Sequence, residues 1–81
     1  MKYKIGDKLK CLNAFDRYRW DYCVITGINR EIQQYDIMMH SHKGEAVDRI
    51  AGIDERWMAS PKNFEYIQTL KNLVVDIEWG A

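Results

Sequence analysis

The sequence has few of the residues that cross-link or interrupt a small domain. It contains one proline, two cysteines and five glycines in 81 residues. Its apolar runs are shorter than the roughly 18 residues that a membrane-spanning helix needs. The first ten residues, MKYKIGDKLK, contain no apolar segment of the kind found in export signals. We therefore predict no membrane contact, and we expect a cytoplasmic protein with free thiols rather than a disulfide framework.

The chain also lacks a net charge. Twelve Lys and Arg residues balance twelve Asp and Glu residues, which argues against the sequence-independent grip on phosphate used by strongly basic proteins. The balance hides a gradient, because the N-terminal quarter is mainly basic and the last residues are mainly acidic. The basic side chains of the N-terminal quarter are Lys2, Lys4, Lys8, Lys10, Arg17 and Arg19.

Aromatic residues, by contrast, are plentiful at 12% of the chain. Each buried ring removes on the order of 150 to 250 Å² from water. That much apolar surface allows residues 1–81 to close one core without help from a metal or a disulfide. We predict a single domain with no cofactor.

Alternation and β-branched content predict that this domain is all-β. Residues 3–12 alternate, with Tyr3, Ile5, Leu9 and Cys11 on one side of an extended chain and the four lysines Lys2, Lys4, Lys8 and Lys10 on the other. Residues 22–28 and 35–40 are the next predicted strands, and Gly27 indicates a bend or bulge.

The second half of the chain is less uniform. Residues 46–58 fit two short strands that meet near Gly52, but their apolar spacing also fits a helix. Residues 60–63 predict one short helical turn, because Pro61 suits the first position of a helix. Residues 64–70 predict a final strand. We assign Trp57 and Phe64 to the core.

Three segments together resemble the small, five-stranded Src-homology-3-like barrels of bacterial and phage-encoded accessory proteins. They are KIGDKLKCL with its Gly6-Asp7 turn, YCVITGI with Val24 to Gly27, and W-x-x-S-P-x-x-F-E-Y-I with Ser60 to Ile67. The resemblance covers residues 1–67 and implies a partly open barrel whose last strand follows a single helical turn. Members of this broad group bind peptides, nucleic acids or other proteins, so the fold does not choose a partner.

Two segments depart from that pattern. Residues 46–56 are longer than a simple hairpin needs, and residues 68–81 form a C-terminal extension that has no counterpart in a minimal barrel. Within the extension, the β-prone stretch 73–79 either pairs with the free edge of the barrel or mediates a homodimer.

No residue cluster has the spacing of a metal or catalytic site. Cys11, Cys23, His40 and His42 lack the close cysteine pair of a structural zinc site. Cys23 with His40, or Asp54 with Glu55, could in principle act as catalytic pairs, but a domain this small offers little cleft to exclude water. We predict that the protein is not an enzyme and binds no metal.

Residues 15–22 are the one place where aromatic and arginine side chains interleave. Tyr, Trp and Arg are enriched at the energetic centres of protein interfaces, and they also form stacking platforms for single-stranded nucleic acid. The same residues could instead cover one end of the barrel. We predict a protein-interaction module, an inhibitor-like accessory protein whose contact residues are Arg17, Tyr18, Arg19 and Trp20. The alternative is a nucleic-acid-binding factor that uses Lys2, Lys4, Lys8 and Lys10.

Overall fold

A computed structural model describes residues 1–12 and 20–70, which form one antiparallel sheet and one short helix. The elements in chain order are β1 (Asp7–Cys11), β2 (Tyr22–Asn29), β3 (Gln34–His40), β4 (Ala46–Asp54), α1 (Glu55–Met58) and β5 (Phe64–Thr69). The prediction of an all-β fold with five strands is confirmed, and the structure shows that every pairing is antiparallel. The helix has four residues, and no helix in the described ranges is long and apolar enough to cross a bilayer.

The strands lie in the order β4-β3-β2-β1-β5, so the sheet is open and β4 and β5 are its edges. Leu9 pairs with Cys23, which pairs with Met39 on the next strand. All three side chains are fully buried, and Phe64 and Met58 join them from β5 and α1. The alternation predicted for the first strand is confirmed within β1, where Leu9 and Cys11 face this core while Lys8 and Lys10 lie on the opposite face, here called the outer face. The prediction for Ile5 is wrong, because Ile5 lies in the turn before β1 and is 48% exposed, whereas Tyr3 is buried as predicted.

Gly27 lies at a bulge, as predicted. The pairing of β2 with β3 shifts between Ile25 and Gly27, so Thr26 is the extra residue. A Cβ atom on Gly27 would lie 2.9 Å from Oδ2 of Asp36, the residue opposite it. A side chain at position 27 would therefore force the Asp36 side chain to shift.

The segment 46–58 combines both interpretations left open by the sequence. It forms one strand that continues through Gly52 to Asp54, followed directly by α1. Gly52 has a φ of +72°, and the pairing with β3 shifts beside it. The assignment of Trp57 to the core is wrong. α1 directs Met58 inward and leaves Trp57 44% exposed.

The helical turn predicted near 60–63 is a hydrogen-bonded turn, and the helix lies earlier, at Glu55–Met58. The amide N–H groups of Asn63 and Phe64 both donate to the Ser60 carbonyl, at 3.0 and 3.3 Å. This turn leads into β5, where Phe64 is buried as predicted. β5 runs from Phe64 to Thr69, in agreement with the predicted strand of residues 64–70. The last strand therefore extends two residues beyond the predicted end of the barrel at residue 67. The stretch 73–79 and the homodimer proposed through it lie outside the described residues.

Asp7 links the N-terminal turn to β5. Its carboxylate is buried and accepts hydrogen bonds from the Lys4 amide at 3.1 Å and the Thr69 hydroxyl at 2.7 Å. Asp7→Ala leaves both donors without this acceptor, so we expect the free energy of unfolding to fall by about 1–3 kcal/mol. Urea denaturation would measure the change. Glu65→Ala is the control, because it removes an exposed carboxylate on β5. It should change the free energy of unfolding by less than about 0.5 kcal/mol. Equal losses for the two variants would contradict the assigned role.

Candidate functional site

The structure describes one of the four predicted protein-contact residues, Trp20. Arg17, Tyr18 and Arg19 lie outside the described residues. Trp20 is partly buried against the core, and its indole N–H donates to the Asp48 carboxylate at 3.1 Å. Asp48 belongs to β4, so this bond attaches the end of the predicted contact segment to an edge strand of the sheet.

The four lysines of the alternative interface do not share one surface. Lys8 and Lys10 lie side by side on the outer face of β1. Lys2 lies beside α1 instead, where its amide N–H donates to Glu55 at 2.7 Å and its ammonium donates to the Ala59 carbonyl at 3.3 Å. Lys4 precedes the turn at Gly6, which separates it from the strand.

Three side chains stack in a row across the outer face: Lys8, Tyr22 and His40. The Lys8 ammonium lies 4.1 Å from the centre of the Tyr22 ring, and the opposite face of that ring stacks on His40 at 4.5 Å with an interplanar angle of 11°. Burial, together with the nearby Asp21 charge, raises the pKa of the Tyr22 hydroxyl. Because both faces of the Tyr22 ring are occupied, a nucleic-acid base could stack there only by displacing a neighbour.

The cysteines lie on the other side of the sheet. Cys11 and Cys23 are free and buried on neighbouring strands. The hydrogen bond with Cys11 and burial raise the pKa of Cys23 well above the ordinary value of a thiol. His40 follows Met39, the partner of Cys23, and therefore lies on the opposite face. The structure does not bring Cys23 and His40 together. Among residues 1–12 and 20–70, no group of three or more His, Cys, Asp or Glu side chains could hold a metal ion.

The β4 edge is the surface that the sequence did not indicate. We use this name for strand β4 together with Trp57, which follows it. β4 is nine residues long, and none of its side chains is fully buried. Val47 on the strand is 45% exposed and Trp57 is 44% exposed. Two register shifts, at Val47 and beside Gly52, divide the edge and leave the regular stretch 48–50 between them.

A shallow depression lies at the C-terminal end of this edge. It has a volume of about 250 Å³ and is lined by Gly52, Ile53, Asp54 and Trp57. Its walls are largely apolar, so it suits an apolar side chain of a partner. Sequence reasoning missed this site because it placed Trp57 in the core. The available signal was the three charged residues in AVDRIAGID, because charged side chains are typical of an edge strand.

Comparison with known proteins adds no further constraint on these surfaces. No protein-family model, curated protein or solved structure matches the chain.

Proposed function

We propose that this chain is a non-enzymatic protein-interaction module that binds an extended segment of another protein along the β4 edge. The observation that carries the proposal is the position of β4 at the end of the open sheet, with Val47 and Trp57 exposed along it. Trp20, one of the four predicted contact residues, is hydrogen-bonded to the same strand. In keeping with the resemblance to bacterial and phage-encoded barrels, we propose a cytoplasmic accessory or regulatory role.

Strand addition suits this edge for two reasons. The outward backbone N–H and C=O groups of an edge strand are a template for pairing with another chain, and each bond formed contributes about 0.5–1.5 kcal/mol net. The bulges at Val47 and Gly52 limit regular pairing to a short central stretch. Affinity must then depend on side chains as well, and Val47 and the Trp57 depression supply apolar contacts at the two ends.

Photo-crosslinking in cells of the natural host tests the proposal. We expect benzoylphenylalanine, incorporated in place of Val47, to crosslink this chain to one partner protein, because position 47 contacts the added strand. Ile67 is the matched control. It is also β-branched and 45% exposed, but it lies on the opposite edge strand, β5. An adduct at Ile67 and none at Val47 would overturn the assignment of the edge.

Once the crosslinked partner is identified, its affinity can be measured directly. Val47→Lys places an ammonium group in the apolar contact, so we expect binding to weaken about tenfold or more. Ile67→Lys makes the same chemical change on β5 and should leave the affinity within about twofold. Equal losses for the two variants would indicate a nonspecific effect of charge.

The alternative function is binding of single-stranded nucleic acid across the outer face. The observation that favours it is the adjacent position of Lys8 and Lys10 on that face. Fluorescence anisotropy with a labelled oligothymidylate at several salt concentrations separates the two functions. Affinity that falls steeply with salt, and is reduced by Lys8→Gln and Lys10→Gln together, would favour nucleic acid. We expect no measurable binding at physiological salt.

A further inference from the structure

A polar cup opens on the outer face beside the β4 edge. It has a volume of about 510 Å³, within the range of small-ligand sites. Its floor is the row formed by Gly27 on β2, Asp36 on β3 and Gly52 on β4. The residues that flank Asp36 on the neighbouring strands are both glycines, so no side chain fills the space above them. A Cβ atom on Gly27 would collide with Asp36, and Gly52 has a positive φ and lies close to Gln34.

Asp36 is held in place at the bottom of the cup. Its Oδ1 accepts the Gly52 amide N–H at 3.1 Å, and its Oδ2 lies 3.6 Å from the Arg49 guanidinium. Its backbone carbonyl accepts the Thr26 hydroxyl at 3.2 Å. The hydrogen bond from Gly52 therefore fixes the Asp36 carboxylate, which in turn pairs with Arg49. The Arg49 side chain is 48% exposed, so it remains within reach of a ligand.

A second arginine, Arg30 in the turn between β2 and β3, also lines the cup. The charged residues that line the cup are Arg30, Arg49 and Asp36, so the lining carries a net charge of one positive. A monoanionic carboxylate would neutralise this charge. A dianionic phosphate would overshoot it and place an unbalanced negative charge beside Asp36. Guanidinium groups also match the planar, two-oxygen geometry of a carboxylate.

We propose that this cup, here called the Asp36 cup, binds a carboxylate of the protein partner, which is either an Asp or Glu side chain or a chain terminus. This inference rests on the proposed function. Arg49 and Gly52 belong to β4, so a segment paired along the β4 edge would place its neighbouring side chains over the cup. The partner segment would therefore combine apolar residues, facing Val47 and Trp57, with one acidic group that contacts Arg30 and Arg49.

Titration of ¹⁵N-labelled protein with short acetylated valine-threonine peptides tests the inference. One peptide ends in glutamate with an amidated terminus, a second ends in glutamine with a free terminal carboxylate, and a third ends in glutamine amide and is neutral. We expect both carboxylate peptides to shift the Gly27 and Gly52 amide signals and the Nε–H signals of Arg30 and Arg49 in a saturable way. The glutamate peptide acting alone identifies a side chain, and the free-terminus peptide acting alone identifies a chain terminus.

Two outcomes would overturn the inference. The first is an equal response to the neutral peptide, or no saturable shift at these signals with any peptide. The second is saturation by inorganic phosphate at lower concentration than by the carboxylates, which would assign the cup to phosphate instead.

Matched variants test whether carboxylate binding depends on the positive charges of Arg30 and Arg49. Arg49→Gln and Arg30→Gln should each weaken carboxylate binding about tenfold. Lys43→Gln removes the same charge from the exposed turn between β3 and β4 and should change binding by less than about twofold. Arg30→Gln leaves the Asp36–Arg49 pair in place, so it tests the cup even if Arg49→Gln alters the sheet. Retention of full affinity in Arg30→Gln would contradict the two-arginine site.

The failure of this inference can be distinguished from failure of the proposed function. If crosslinking at Val47 succeeds but the arginine variants keep full affinity for the identified partner, the edge interface stands and the cup does not. If the carboxylate peptides saturate the cup but Val47 yields no adduct, the cup stands and the edge interface does not.

Discussion

Replacing Phe64 with alanine is expected to lower the free energy of unfolding by about 3–5 kcal/mol, the range for deleting a buried aromatic side chain. Phe64 is 2% exposed and joins β5 to the common core. A domain of this size has a total stability of roughly 4–12 kcal/mol. The substitution would therefore remove a large share of it.

Urea denaturation followed by tryptophan fluorescence would measure the loss. Ile67→Ala is the matched control on the same strand, since Ile67 is 45% exposed, and it should cost less than about 1 kcal/mol. Losses of similar size for Phe64→Ala and Ile67→Ala would show that β5 does not pack on the core as described.

The second large effect is expected at alkaline pH. Burial is the main cause that raises the pKa of Tyr35 to about 12, and the neighbouring Glu55 carboxylate acts in the same direction. Tyr35 also accepts a hydrogen bond from the Tyr3 amide at 3.0 Å, which partly opposes the shift. The side chain is fully buried, so its neutral form is strongly favoured in the folded protein.

The sign of the pH effect follows from proton binding in the two states. The unfolded chain loses the Tyr35 proton near the ordinary pKa of 10.0, whereas the folded chain keeps it until about 12. The unfolded state therefore binds fewer protons in this window. Stability that is fully present below pH 10 is lost as the pH rises to 12, by on the order of 2–3 kcal/mol from Tyr35.

Denaturation at a series of pH values from 9 to 12 would measure this loss. Cys23, whose pKa is also raised, adds to the decline, so the informative quantity is the difference between variants. Tyr35→Phe lowers stability at neutral pH but should show a shallower decline between pH 10 and 12. Tyr66→Phe, which changes an exposed tyrosine on β5, should keep the original slope. Identical slopes for both variants would contradict the role of Tyr35.

Much of the fold was predictable because the pattern of apolar and β-branched residues in a strand reflects which of its side chains face the core. The density of β-branched and aromatic residues in YCVITGI predicted β2, and Gly27 predicted its bulge. Segment 46–58 was harder. The segment AVDRIAGIDERWM favoured two short strands, but its apolar spacing also fits a helix, and the chain in fact forms one strand followed by a helix.

The candidate sites were less predictable. Aromatic and arginine content identified residues 15–22, of which Trp20 is the predicted contact residue that the structure describes. Sequence reasoning did not find the Asp36 cup, because its members come from three strands and a turn. The signals for it were two glycines with bulge-forming neighbours, but their common partner Asp36 could be recognised only from the register between strands.

The sequence by itself determined the β character of the chain, the single small core and the separation of Leu9 and Cys11 from Lys8 and Lys10, because all of these follow from side-chain alternation along one strand. Only the tertiary structure decided that β4 is an edge, that Trp57 is exposed and that Arg30, Arg49 and Asp36 line one cup. These features depend on which strands become neighbours, and that choice is made by packing between segments far apart in the chain rather than by any local pattern.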